Sequence, residues 1–148
     1  MMRELTPNAQ RRLERAPDLL ARSIAARVDR DDRTARYLLH RALLDRAVAA
    51  GVLWALATGI ARQLDVLHPG ERPERVAVLS EAELCESARD AGGIAAAYIA
   101  AGCNSDLPGA TALFRQLADI TMALRVAWML QGVIASLGRR IEAQGERA

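Results

Sequence analysis

The chain has 148 residues, 51% apolar and 26% charged, which is long enough for one domain with its own core and too apolar for a disordered tail. Twenty basic residues, all of them arginine, face eighteen carboxylates for a formal net charge of +2. The signs alternate, as in "RVDRDDRTAR", whereas a nucleic-acid surface gathers positive charge without acidic neighbours. Arginine in place of every lysine is explained by GC-rich coding, in keeping with a high-GC bacterial genome. Aromatics are scarce and alanine is abundant, so the balance tips to helix before any pattern is read.

The helix punctuation begins at Thr6-Pro7, a cap followed by proline in the first helical position. Pro17 predicts a stop or kink, after which "PDLLARSIAARV" runs to the acidic cluster Asp29–Asp32. From about Asp32 one long helix is expected to continue to Leu67 and to end at His68-Pro69-Gly70. Its face is drawn by Leu44, Val48, Val52, Leu56, Ile60 and Leu64. In "LSEAEL", Ser80 and Glu83 form a capping box, and Leu79 and Leu84 a hydrophobic staple, for the next helix. That helix holds "ARDAGGIAAAYIAAGC" and ends near Gly102–Asn104. "NSDLPG" caps the last one, expected over about 108–143, with Leu113, Leu117, Ile120, Leu124, Ala127, Gln131 and Ile134 on one face. The expectation is an all-α, single-domain bundle over 1–148, of four to five helices, with two long antiparallel helices (about 32–67 and 108–143).

Three stretches carry no charge on any side: 47–61, 91–105 and 126–138. They are 15, 15 and 13 residues long, against the ~20 that a bilayer core requires, so the reading is burial rather than membrane. A phosphate-gripping loop fails on context, because Gly92 and Gly93 follow no strand and no "GK[ST]" occurs. Ala88, Gly92, Ala96 and Ala100 instead fall every four residues on one ridge, where small side chains let helix axes approach closely. A bundle of this size has little room to surround two smooth helices. Self-association through that ridge, with Val52 and Leu56 from one uncharged middle and Met129 and Val133 from the other, would supply the missing cover.

The residues able to do chemistry are few. With two histidines and no CxxC, HxxxH or ExxH spacing, neither a metal site nor a cofactor is called for. His68 is expected at the C-cap of its helix. Cys85 and Cys103 lie eighteen positions apart, some ~27 Å along one helix, and so cannot bridge within it; both read as inert thiols. Asp119 and Arg125 are the charges nearest the last apolar stretch and should pair if buried. Trp54, Trp128 and Tyr98 could line an apolar ligand pocket between helices, although core packing is the plainer role. Arg33 and His40 resemble the Arg-x(4–6)-His spacing of HEPN-domain ribonucleases, which are all-α and dimeric. The resemblance covers eight residues. It departs from the family in Thr34, where a polar Asn, Asp or His is usual, and in lying in the first third of the chain. It implies RNA cleavage by Arg33 and His40.

Three readings follow in order. The first is a self-associating helical interaction or assembly module, a homodimer or other homo-oligomer working through protein contact, without an evident catalytic site. The second is a helical sensor for an apolar small molecule, and the third is the HEPN-like ribonuclease. An N-terminus without an apolar signal region and unpaired thiols point to the cytoplasm.

Overall fold

The computed structural model describes residues 7–69, 91–117 and 119–146. Among them the architecture is an all-α bundle of six helices with no strand. The capping box at Ser80 and Glu83, its staple, Cys85 and Ala88 lie outside the described residues, as does Thr6.

Helix α1 (Pro7–Val28) starts on its expected proline and runs through Pro17 without a break. Proline inside a helix removes one hydrogen bond, at a cost of about 3 kcal/mol. The packing of Ala16 and Leu20 into the core offsets that cost. The helix closes on Arg30, which takes a left-handed φ of 63°. Asp31 N–H then reaches back to Ala26 O at 2.8 Å and Arg30 N–H to Arg27 O at 3.0 Å, a Schellman closure with arginine where glycine is usual. Helix α2 (Asp32–Ala42) follows at once, capped by Asp31, whose side chain accepts from Thr34 N–H at 3.3 Å.

The two long helices expected over 32–67 and 108–143 are each two helices. In the first, α2 ends at Ala42 and α3 (Arg46–Leu67) begins behind Asp45, whose carboxylate accepts from Ala47 N–H at 2.9 Å. In the second, α5 (Leu107–Arg115) ends in tight turns at Gln116 and Leu117. Helix α6 (Ile120–Glu146) begins behind Asp119, which accepts from Met122 N–H at 2.9 Å. An aspartate at an N-cap satisfies amides that a continuing helix would have satisfied itself. The breaks are joined: the Arg46 guanidinium donates to Leu117 O at 3.2 Å and lies 4.8 Å from the Phe114 ring centroid.

Between α3 and α5, helix α4 (Ala91–Cys103) holds the smooth stretch, closing on Ser105 at φ 52° in a second Schellman turn. Asp106 and Pro108 then start α5 as their spacing predicts. His68 occupies the C-cap of α3, its backbone N–H bonded to Leu64 O.

The long helices are parallel, not antiparallel. Arg46 bonds to Leu117 O and Gln63 to Ile134 O, so position along α3 rises with position along α6. The segment between them, α4 and α5, carries the chain back to the start of α3, and α6 sets off in the same direction. Helix α1 runs against α6, since Ser23 meets Gln131 and Arg27 meets Trp128.

The core lies where α3, α4 and α6 converge, filled by Leu53, Leu56, Ile60, Ile94, Tyr98, Val126 and Leu130. Helix α4 is smooth because α3 lies on it: a Cβ on Gly102 would sit 2.6 Å from Ala57 O. Cover is nevertheless incomplete. Ala47, Gly51 and Ala55 on α3, and Met129 and Ser136 on α6, stay exposed. By length and composition α3 and α6 are also apolar enough to cross a bilayer, although 39% of each candidate span is buried within the bundle.

Candidate functional site

Along one flank of α3 the small residues Ala47, Gly51, Ala55 and Gly59 recur every four positions, a ridge that any neighbouring helix could approach closely. Helix α1 does not approach it. It packs chiefly on α2 and only sparsely on α3, and the gap is a groove of about 530 Å³. One wall is Ala16, Pro17, Leu20, Ala21 and Ile24 of α1. The other runs along α3 from Val48 to Gln63, with Ile134 contributed by α6. At 1.5 Å rise per residue that stretch is about 22 Å long.

The lining is apolar until the C-terminal end of this stretch, where Arg62 and Gln63 stand together. Gln63 Nε2 donates to Ile134 O at 3.0 Å and ties α3 to α6. Its Oε1 is buried without a hydrogen-bond partner among the described residues. Exposed Arg62 brings a guanidinium to the same end. Gly51 is unusual in another way: a Cβ there would meet nothing within 4 Å. Among the described residues nothing in the packing requires glycine at that point, although alanine would favour the helix by about 1 kcal/mol.

The residues singled out from the sequence are scattered. Tyr98, 1% exposed, lies in the core, and its hydroxyl has no partner among the described residues; burial holds its pKa above the usual tyrosine range. Trp54 is half-buried against the core. Trp128 lies beneath the Arg27 guanidinium and borders an open depression with Ala91, Gly92, Arg125 and Met129. The three aromatics therefore do not line one pocket, and none of them lines the groove. Of the interface candidates, Gly92, Ala96 and Met129 are exposed and Val133 is half-buried. Ala100, Val52 and Leu56 are buried within the chain. A four-residue step turns a helix 40° past a full revolution, so the Gly92–Ala96 ridge has rotated into the core by Ala100.

Arg33 and His40 are both exposed on α2, on one face and about 10 Å apart along its axis. Asp119 and Arg125 are exposed and do not pair; Asp119 serves as a cap. The Cys103 thiol is pushed up by burial and, secondarily, by Asp65. Among the described residues no three His, Cys, Asp or Glu side chains gather where a metal ion would fit.

The groove residues Pro17, Gly51, Ala55, Gly59 and Arg62 are absent from the sequence-based candidates. Their signal was present, since four-residue spacing of small side chains marks 47–59 as clearly as 88–100. No protein family matches the chain, and no curated protein or solved structure matches it.

Proposed function

We propose that this chain is a helical binding domain for an elongated apolar molecule with an anionic end, seated in the groove between α1 and α3. One observation carries the reading: an apolar trough of about 530 Å³ whose polar groups are gathered at one end, the usual make-up of a small-molecule site. The trough follows about 22 Å of α3 and has room for a single extended chain. Arg62 supplies the charge for an anionic head.

A series of straight-chain fatty acids tests this by calorimetry. Affinity should climb about fourfold per methylene, from ~0.8 kcal/mol of burial each, until the chain outgrows the trough. Arg62→Ala should weaken the acid but not the matching alcohol, and Gly51→Leu should abolish binding of both. No saturable binding at any length, or full binding by Gly51→Leu, would overturn the assignment.

A second reading keeps self-association. Gly92 and Met129, the latter 45% exposed, share one apolar depression with Ala96 nearby on α4, and a second copy of the chain would cover it. Light scattering should return a two-chain mass that Ala96→Glu reduces to one; a single-chain mass for the parent removes this reading.

A further inference from the structure

A second, unrelated cluster lies where α1, α2 and α6 meet. The Arg27 guanidinium stacks on Trp128, 3.4 Å from the ring centroid, and its Nη1 donates to Trp128 O at 2.5 Å. Its Nη2 passes over Gly132, where a Cβ would stand 2.8 Å away. Glycine at 132 thus leaves room for the guanidinium. Arg36 of α2 brings a second guanidinium over the same ring, at 4.8 Å. Arg139 lies two turns beyond Gly132 on the same face of α6.

Charge on this junction is not balanced. Among the described residues no carboxylate lies within ion-pair distance of Arg27. Burial, first of all, lowers the Arg27 pKa; Asp32 opposes the shift, and the like charges of Arg36 and Arg139 add to it. Of the charges that act on Arg27, two are guanidiniums and one is a carboxylate, so positive charge predominates around it. Among the described residues only one of Arg27's five donors has a hydrogen-bond partner.

We propose that Arg27, Arg36 and Arg139 form a binding site for a phosphoryl group at the edge of Trp128. A phosphate monoester carries between −1.5 and −2 at neutral pH, more negative charge than a single carboxylate brings to a cluster of guanidiniums. Guanidinium forks suit phosphate oxygens in paired hydrogen bonds. Stacking on Trp128 fixes the plane of Arg27 before the ligand arrives. The site faces away from the groove, because Ile134 stands on the opposite side of α6 from Gly132.

Trp128 itself reports occupancy. In a Trp54→Phe background it is the only tryptophan, and its emission is followed while inorganic phosphate replaces chloride at constant ionic strength. A saturable change is expected, with the midpoint raised at least about tenfold in R36Q/R139Q, equivalent to 1.4 kcal/mol. Both arginines are exposed, so an unchanged unfolding midpoint confirms that the variant is folded. Gly132→Ala, which displaces Arg27 from the ring, should weaken binding too. Phosphatidylcholine vesicles with and without phosphatidic acid form the second arm. Saturation by free phosphate assigns a soluble ligand, and saturation by phosphatidic acid vesicles alone assigns a lipid head group. No saturable response in either arm, or one equal in R36Q/R139Q, overturns the proposal.

Discussion

Helix α3 presents small residues on two flanks, with opposite outcomes. On one flank Ala57 meets Gly102 of α4 so closely that the backbones touch. On the other, Gly51, Ala55 and Gly59 line a groove that α1 leaves open. Small side chains permit close approach without compelling it; what seals a flank is the helix opposite. Helix α4 is itself short of large side chains, and its buried face settles onto α3. Helix α1 carries Leu20 and Ile24 toward the gap and is held off by its commitments to α2 and α6.

The sealed flank can be broken first, with the largest effect. Gly102→Val forces a side chain into the Ala57 backbone, and chemical denaturation should show a loss of about 3 kcal/mol. Next comes the anchor that holds α1 in place. Gln131 Nε2 donates to Ser23 Oγ, which donates to Ala35 O, each at 2.6 Å and fully buried. Ser23→Ala strands the Gln131 amide, whose Oε1 is already unpartnered, and should cost about 2 kcal/mol by the same measurement.

Tyr98→Phe, inside the sealed flank, should run the other way. Removing a buried hydroxyl with no partner is expected to stabilise by about 1 kcal/mol. Because burial raises the Tyr98 pKa, the folded form keeps its proton after the unfolded chain has lost it. The parent should therefore lose stability as pH rises above ~10, and Tyr98→Phe should lose less. Smallest is Gly51→Ala on the open flank, which should raise thermal stability by 0.5 to 1 kcal/mol, by order of magnitude, while narrowing the trough and weakening fatty-acid binding. A stabilised protein with undiminished binding would show that the open flank is not the site.

Local signals in the sequence proved dependable where they were chemical. Pro7, Asp106 with Pro108, and His68 mark helix ends that the structure has. The two breaks were harder to read, because hydrophobic spacing passes through them. Leu44 and Ile120 fit the expected faces, yet they are 52% and 40% exposed. Each sits in or beside a turn that resets the helical phase, and the signals for the turns were Asp45 and Asp119, single caps with no glycine or proline behind them. Pro17 misled in the opposite direction, since tertiary packing outweighed a local penalty. The direction of α6 was out of reach for a similar reason: periodicity fixes which face is buried and says nothing of which way the next helix runs. The candidate site suffered most. A groove is space that two helices fail to fill, and no residue's own pattern announces where α1 will stop short of α3.

The hairpin of α1 and α2 has one more consequence. It turns on Arg30, packs mainly on itself, and is fastened to α6 by Ser23–Gln131 and Arg27–Trp128. A unit so self-contained can lift away while the remaining helices stay folded, so its amides should exchange with deuterated water as one cooperative set, ahead of those in α3 and α6. Widening of the trough is then a sub-global opening, resisted by two polar fastenings and by Ala16, Leu20, Leu39 and Leu43 in the core, and solvent isotope uptake times it directly.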